Sequence, residues 1–436
     1  MSFKSAFNAR SLSTRWRWLT QGPVVPDEPI HYNTSCPAPY VIPDDWEYIN
    51  HETMGVPVGC VRARERGELK GKITLITGFK TSADWYNTPA IQAYQEQGYR
   101  IDIIPLPDPG EEIGYLTDYK KMVRDILIDN PIPDDLPAQI PHFIIAHSLG
   151  GRAVTSNMFD EIFSDTLAEK YAGAILAAPH YSSPYRSKPM LNGFYSSYCA
   201  TFHDCAYGEA PLDWAFETVE KVSNCVTKQK MRLTNAFNNL AACNSTWATV
   251  KSLLSPASKI LAKTLHIDAL AIKDTLLSQE EIESIQGSRS IFEERSRLTN
   301  SPITTQNTAT THGQILYSNL EGEKLKRRME TTPLPETARH FPLIMMGGSK
   351  DFVSCNNFIK EVADIFGAKF YEFDTYHNPV LESDEANKLI FTALQEMGES
   401  WQRRQLYINN VVHFPMHKRE KPHITASPFE DPMVRS

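Results

Sequence analysis

The chain has 436 residues, of which 41% are hydrophobic and 22% are charged, the composition of an ordinary globular protein. Its formal net charge of -8 argues against nonspecific nucleic-acid binding, because a polyanion is on average repelled. No apolar run approaches the roughly 20 residues that a transmembrane helix needs, and the N-terminus lacks the apolar centre of a secretory signal.

The N-terminal segment interleaves basic and aromatic residues before the first acidic residue, Asp27. Its basic residues are Lys4, Arg10, Arg15 and Arg17, and its large apolar residues are Phe3, Phe7, Leu12, Trp16, Trp18 and Leu19. Three interpretations stay open: an arm whose aromatic side chains pack on the domain, an organelle transit peptide, and an interfacial helix on anionic lipid. The third would give the protein a peripheral membrane contact.

The seven cysteines are irregularly spaced and include no CxxC pair, which favours free thiols over a metal site or a disulfide framework. Free thiols are typical of a reducing compartment, so we expect a cytoplasmic location unless the N-terminal segment directs the chain elsewhere. Four cysteines between Cys199 and Cys243 leave a disulfide open in that stretch.

Apolar strands alternate with helices from about residue 45, a pattern that predicts a parallel sheet. The predicted strands are Trp46–His51, Val56–Ala63 (an antiparallel pair), Ile73–Thr77, Arg100–Leu106, His142–His147 and Gly173–Ala178. The predicted helices lie near Thr88–Gln97 and Leu116–Asp129, with another beginning around Gly150.

The alternation stops between about His180 and His340, where the pattern is helical and no buried strand is predicted. It resumes with strands at Pro342–Met346 and Lys369–Phe373, and with helices at Asn356–Phe366 and after Glu382. The predicted organisation is a basic arm and extended lead-in (1–44), an α/β core (45–180 and 341–412), a helical cap (181–340) and a polar tail (413–436).

The strongest chemical signal is Ser148, which stands between an apolar strand and a helix in the stretch I-I-A-H-S-L-G-G. A serine on such a tight strand-to-helix turn needs small neighbours two residues away on each side, here Ala146 and Gly150. The alternative is a small-residue turn with no chemistry. We interpret Ser148 as a nucleophile, with the amide of Leu149 at the helix N-terminus facing the developing oxyanion.

A serine nucleophile needs a histidine base that a carboxylate orients. His377 and Asp351 each follow a late predicted strand, at the edge where parallel sheets place ligand-facing groups. The rival acid is Asp374, which lies too close to His377 in sequence to reach the far imidazole nitrogen easily. The alternative for His377 is a loop histidine packed on Tyr376.

The oxyanion also needs a second donor, which this arrangement takes from the loop after the strand Ile73–Thr77. We predict the backbone amide of Phe79, because Gly78 before it allows a close approach.

Together the blocks A-H-S-L-G-G, T-G-F, G-S-K-D-F-V and Y-H-N-P-V-L-E-S-D resemble the lysophospholipase L2 and monoacylglycerol lipase branch of the α/β-hydrolases. The resemblance implies the α/β-hydrolase fold: a mostly parallel central sheet flanked by helices, with a large helical cap inserted before the last two strands. It also implies a catalytic triad of Ser148, Asp351 and His377.

The same branch carries an acidic E-x-D after the histidine, matched here by Glu382 and Asp384. The sequence departs from the branch at Thr77, where a histidine is usual, at Ala146, where glycine is usual, and in the length of its cap. These departures bear on the substrate more than on the chemistry.

The implied chemistry is hydrolysis of a carboxylic ester through an acyl-enzyme on Ser148, which needs no metal or organic cofactor. The expected substrate is a small lipid ester, a lysophospholipid or a monoacylglycerol. Aromatic and apolar cap residues could line an acyl pocket or simply pack the cap: Phe194, Tyr195, Tyr198, Trp214, Phe216 and Trp247.

Three alternatives share the fold. One is a proline-iminopeptidase-like serine peptidase, in which Glu280, Glu281 and Glu283 would bind a free amine. The second is an acyl-thioesterase, and the third is a binding protein without catalytic activity.

Overall fold

The computed structural model describes residues 42–54, 56–78, 81, 83–106, 119–181, 312–351 and 353–412. The first 41 residues of the predicted arm, residues 182–311 of the predicted cap and the C-terminal tail lie outside the described residues. The domain boundaries that depend on them stay predictions.

Within the described residues, eight strands form one sheet in the order β1-β2-β4-β3-β5-β6-β7-β8. They are β1 Trp46–Thr53, β2 Val56–Ala63, β3 Gly71–Ile76, β4 Tyr99–Ile104, β5 His142–His147, β6 Gly173–Ala177, β7 Leu343–Gly348 and β8 Lys369–Phe373. β2 pairs antiparallel with β1 and β4, and the other neighbours are parallel. The inverted order of β3 and β4 follows from a right-handed crossover back across the sheet.

Helices join these strands on both faces of the sheet. They are α1 Pro89–Glu96, α2 Tyr119–Arg124 (continued by a π-turn, Asp125–Asp129), α3 Leu149–Asn157, α4 Glu161–Lys170, α5 His312–Thr331, α6 Glu336–His340, α7 Asn356–Phe366, α8 Pro379–Glu382 and α9 Asp384–Val412. None of the helices in the described part of the chain is long and apolar enough to cross a membrane.

The two faces of the sheet pack against different helices, because successive residues of a strand point to opposite sides. Ile144 and Ala146 of β5 belong to a core shared with α2, α3, α4 and α7. Phe143 and Ile145 of the same strand belong to a second core, shared with α1 and α9. The parallel strands β3 to β7 are therefore buried on both sides, which explains their apolar runs, whereas the edge strand β8 is partly exposed.

The predicted strand pair β1–β2 and the predicted bounds of β5, β8 and α7 are confirmed. Helix α4 was not predicted, although Asp160 caps it by accepting from the backbone N–H of Phe163 at 2.9 Å. Its buried residues are only Phe163, Ser164 and Leu167, so its apolar stripe is too short to stand out.

The last part of the predicted cap range packs on the core. Leu325 of α5 and Leu334 and Ala338 of the following segment belong to the same core as α3 and α7. Arg328 of α5 donates to the backbone oxygen of Phe159 at 3.1 Å and lies 5.5 Å from the centre of that ring. This stretch therefore leads the chain back into β7.

Candidate active site

Ser148 occupies a strained turn between β5 and α3. Its backbone angles are φ 52° and ψ −115°, a region that residues with a side chain rarely adopt. The surroundings hold it there: its N–H donates to the oxygen of Ala177 at 2.9 Å, and its own carbonyl accepts from Arg152 at 3.2 Å and His180 at 3.0 Å. The turn points the Ser148 side chain away from the line of β5, at the carboxyl edge of the sheet.

Small residues around the turn leave room for this geometry. A Cβ on Gly150 would lie 2.8 Å from the carbonyl oxygen of Thr77, and one on Gly78 would lie 3.0 Å from the Cβ of Ser148. Ala146 is fully buried and fits at the position where a glycine is more usual. The crowding explains why the stretch carries small residues.

The structure brings Ser148, His377 and Asp351 into one chain of hydrogen bonds. Nε2 of His377 lies 2.9 Å from Oγ of Ser148, and Nδ1 of the same ring lies 2.9 Å from Oδ2 of Asp351. Ser148 and His377 are 6% and 7% exposed, so the hydroxyl and the imidazole meet in a largely desolvated place. This is the relative arrangement that a nucleophile, a base and an orienting acid require.

The carboxylate of Asp351 is completely buried and fully bonded. Its side chain is 0% exposed, and its Oδ1 accepts from the backbone N–H groups of Val353 at 2.7 Å and Ser354 at 3.0 Å. Its Oδ2 is left for His377. Backbone donors therefore fix which oxygen meets the imidazole.

The rival acid Asp374 points elsewhere. Its side chain is 78% exposed, and its Oδ1 lies 2.8 Å from Nζ of Lys350 and accepts from Oγ of Ser349 at 3.4 Å. The hydrogen bond from Lys350 lowers the pKa of the Asp374 carboxyl. This acid forms a surface ion pair beside the site.

Gly348, at the end of β7, lets the acid and histidine loops approach each other. The backbone N–H groups of Ser349 and Lys350 donate to Phe373 and Thr375, at 2.7 and 2.9 Å. A Cβ on Gly348 would overlap the carbonyl oxygens of the histidine loop. The loops therefore continue the pairing of β7 and β8 beyond the sheet, which carries Asp351 and His377 to the same point.

Of the two predicted oxyanion donors, the structure describes Leu149, and Phe79 lies outside the described residues. Leu149 is the first residue of α3, where backbone N–H groups have no acceptor within the helix. Thr77 fixes the start of the other loop: its Oγ1 donates to the oxygen of Thr81 at 2.9 Å and accepts from the N–H of Leu106 at 3.2 Å.

Three further residues support the site: His147 and Tyr86, which the sequence did not single out, and Glu382, which the sequence matched only as part of the E-x-D stretch. His147 is buried, with its ring centre 4.9 Å from that of His377, and burial lowers its pKa to about 3. Glu382 accepts from the backbone N–H groups on either side of His377. The only sequence signals were the place of His147 beside Ser148 and the acidic residue shortly after His377.

Among the described residues, no group of three or more His, Cys, Asp and Glu side chains is arranged to hold a metal ion. The two cysteines in that part of the chain, Cys60 and Cys355, are free. Cys199 to Cys243, where a disulfide stayed open, lie outside it.

No protein-family profile and no curated protein sequence matches the chain significantly. Among solved structures, the chain is similar to a soluble variant of monoglyceride lipase from Saccharomyces cerevisiae, with 14% identity and a TM-score of 0.49 over 86% of this chain and 100% of that one. It is also similar to a carboxyl esterase from Bacillus coagulans, with 13% identity and a TM-score of 0.42 over 84% of this chain and 99% of that one.

The fold assignment rests on the chain's own strand order and register. Antiparallel β1 and β2 precede a parallel run in which β3 and β4 exchange places, and Ser148 stands on the turn after the central strand β5. The segment between β6 and β7 holds the predicted cap range, before the last two strands. The chain therefore has the α/β-hydrolase fold.

Proposed function

We propose that the protein is a serine hydrolase that cleaves carboxylic esters through an acyl-enzyme on Ser148. The observation that carries the proposal is the continuous path from Oγ of Ser148 through the ring of His377 to the buried carboxylate of Asp351, with both contacts at 2.9 Å. A strained serine with these two partners is costly to build and serves no evident packing purpose.

In the proposed reaction, Oγ of Ser148 attacks the ester carbonyl while Nε2 of His377 takes its proton. The amide of Leu149 donates to the resulting oxyanion, and Phe79 is proposed as the second donor. The imidazolium then protonates the departing alcohol as the carbon–oxygen bond breaks. A water molecule, deprotonated by His377, releases the acid and restores the serine.

Asp351 contributes by orientation and charge. Because its Oδ2 accepts from Nδ1 of His377, that nitrogen carries the hydrogen and Nε2 is free to accept the serine proton. The negative carboxylate then faces the imidazolium in a site shielded from water, where the pairing is stronger than at the surface.

The proposed substrate is a lipid ester, a lysophospholipid or a monoacylglycerol. The proposal rests on the sequence blocks around Ser148, Asp351 and His377 that resemble that branch of the fold. The same blocks would suit a thioester or a small peptide, so the substrate class is a question for measurement. Peripheral contact of the basic N-terminal segment with anionic lipid is a further proposal that would bring the enzyme to such substrates.

A hydrolysis panel tests this function. Wild type and Ser148→Ala are compared on p-nitrophenyl esters of graded chain length, lysophospholipids, monoacylglycerols, acyl-thioesters and aminoacyl amides. We expect hydrolysis of long-chain esters by wild type only. A preference for short esters would remove the lipid assignment, a preference for aminoacyl amides would replace the ester assignment, and equal rates for both proteins would refute the role of Ser148.

A further inference from the structure

One carboxylate outside the proposed catalytic triad, that of Glu382, holds the backbone around His377. Oε2 of Glu382 accepts from the N–H of Tyr376 at 2.8 Å, and its Oε1 accepts from the N–H of Asn378 at 3.0 Å. One side chain therefore grips the peptide groups immediately before and after the histidine.

The short helix α8 gives Glu382 this position. The backbone N–H of Glu382 donates to the carbonyl oxygen of Asn378 at 3.1 Å. This hydrogen bond turns the chain back, so that the Glu382 carboxylate faces the loop that carries His377. Burial raises the pKa of Glu382, and the two backbone donors oppose that rise by stabilising the charged form. A partly buried carboxylate bonded only to backbone N–H groups is a device for fixing a loop.

A second residue, His147, holds the carbonyl oxygen of His377. Nε2 of His147 lies 3.1 Å from that oxygen. Because a carbonyl can only accept, Nε2 of His147 must carry the hydrogen. Its Nδ1 is then an acceptor, and the hydroxyl of Tyr86 donates to it at 3.2 Å.

These contacts fix the tautomer of His147 as well as its place. Its ring is neutral at any pH at which the triad would work, because burial lowers its pKa to about 3. Through these bonds Glu382 and His147 contact the backbone of the loop that carries His377, and neither contacts Ser148 Oγ or the carboxylate of Asp351.

We propose that Glu382 and His147 are positioning residues for His377. Glu382 binds the backbone N–H groups of the two neighbouring residues, and His147 binds the carbonyl oxygen of His377 itself. Together they keep Nε2 of His377 aligned on Ser148 Oγ and Nδ1 aligned on Asp351. The inference rests on the proposed hydrolase function and names the part of the structure that sets the geometry of its base. The contact between Nδ1 and Asp351 matters as much as the contact between Nε2 and Ser148, because an imidazole displaced from Asp351 loses its orientation and the stabilisation of its charged form.

Glu382→Gln tests the hydrogen bonds between Glu382 and the backbone N–H groups of Tyr376 and Asn378. Glu385→Gln is the matched control, on an exposed residue three positions later. Glutamine keeps the shape but replaces one acceptor oxygen by an NH2 group, which cannot accept from a backbone N–H. On a p-nitrophenyl ester that wild type cleaves, we expect kcat to fall about 10- to 100-fold with KM unchanged, as for a misplaced catalytic group. The control should match wild type.

The split between kcat and KM separates positioning from a general loss of structure. A fall in the amount of folded enzyme would lower the rate in proportion to the unfolded fraction, which urea unfolding measures. A folded Glu382→Gln variant that keeps the kcat of wild type, or whose loss lies in KM alone, contradicts the proposal.

His147 supplies an independent arm in case Glu382→Gln does not fold. His147→Leu removes the donor to His377, whereas His147→Gln keeps an N–H donor at a similar reach. We expect a loss of kcat in the first variant and its partial recovery in the second. Equal activities of the two variants, or wild-type kcat in a folded Glu382→Gln, overturn the positioning role, whereas failure of wild type to cleave any ester overturns the hydrolase function itself.

Discussion

Two regions of the same sheet bury polar side chains in opposite ways. Toward the amino ends of β3 and β4, charged side chains form a network of ion pairs. Its cations are Arg62, Lys72 and Arg100, and its carboxylates are Asp102, Asp134, Glu65 and Asp135. At the carboxyl ends, His377 contacts Ser148, His147 and the buried carboxylate of Asp351. The first region pairs three cations with four carboxylates, whereas the second has a strained serine.

The charged network has the features of a structural element. Asp102 is completely buried, accepts two bonds from Arg62 at 2.7 and 3.0 Å, and lies 3.0 Å from Nζ of Lys72. Every charge has an opposite partner, so the desolvation of each is offset by pairing. Such a network fixes the register of neighbouring strands and leaves no group free to react.

The site at the carboxyl edge differs because its hydrogen bonds leave one pair poised for proton transfer. Ser148 and His377 are joined by a single hydrogen bond between a hydroxyl and an imidazole, and neither Lys nor Arg is among the hydrogen-bond partners of Asp351 in the described residues. Burial and hydrogen bonding therefore do not by themselves distinguish the two regions. The pairing of opposite charges in the first region and the strained backbone of Ser148 in the second do.

Substitution of the nucleophile or of the acid should have the largest effect on kcat while the fold stays intact. Ser148→Ala should lower kcat for ester hydrolysis by at least about 10⁴-fold, because it removes the atom that forms the covalent bond. Asp351→Asn should lower kcat by about 10³- to 10⁴-fold through loss of the histidine's orientation. Both are measured with saturating ester beside unfolding curves in urea, and a Ser148→Ala protein that keeps more than a few per cent of wild-type kcat would contradict the assignment.

The reverse experiment breaks the network and spares the site. Asp102→Asn should cost about 3 kcal/mol of unfolding free energy, because Arg62 and Lys72 lose a buried partner. The kcat of the folded variant should equal that of wild type, because the network touches no residue of the site. Urea unfolding measures the first quantity and ester hydrolysis the second; a normal stability would mean that the buried pair is replaceable.

Acid should weaken the two regions in different pH ranges. Burial lowers the pKa of His147 from 6.5 to about 3, so the unfolded chain binds a proton that the folded chain refuses. The stability from this neutral histidine is complete above pH 6.5 and is lost as pH falls below it. His51, which is buried, and His142, which is half-buried beside the charged network, also have pKa values that burial lowers, and they act in the same direction.

The carboxylates of the network respond at lower pH. The hydrogen bond from Arg100 lowers the pKa of Glu65, and Lys72 lowers that of Asp134 against the opposing effect of burial. Their stabilisation is present above the ordinary values of 4.5 and 3.8 and is lost as pH falls through the lowered values. His147→Leu should therefore reduce the loss of stability between pH 6.5 and 5 and leave the acid transition in place, as urea unfolding across pH would show.

The smallest expected effect concerns the strain itself. At φ 52° a glycine pays no Cβ penalty, so Ser148→Gly should be more stable than Ser148→Ala by about 1 kcal/mol. Both variants lack the hydroxyl, which makes the pair a matched test of backbone strain. Equal stabilities in urea would show that the turn stores no strain at this residue.

Much of the fold could be predicted because its signals are local. β5 is a short apolar run before a small-residue turn, and α7 is followed by Gly367, whose φ of 64° is the left-handed conformation expected after a helix. The position of Ser148 followed from its small neighbours, and those of Asp351 and His377 followed from being just past the ends of two strands. The positions of late-strand loops are a property of the fold, so they carry over from pattern to structure.

The remainder depended on contacts that sequence spacing does not encode. Arg62 and Asp102 meet across 40 positions of the chain, on neighbouring antiparallel strands whose register no local pattern fixes. Glu382 acts on backbone N–H groups, and His147 on a backbone carbonyl, so neither has a complementary side chain for the sequence to reveal. The tautomer of His147 likewise follows from where its two nitrogens lie.

The role of Ser148 as a nucleophile activated by His377 is tested most directly by labelling the full-length folded protein with a fluorophosphonate probe, followed by mass spectrometry of the peptides. We expect one adduct, on Ser148, formed rapidly by wild type, far more slowly by His377→Ala and not at all by Ser148→Ala. A folded wild-type protein that takes up no probe, or that carries the adduct on another residue, would contradict it.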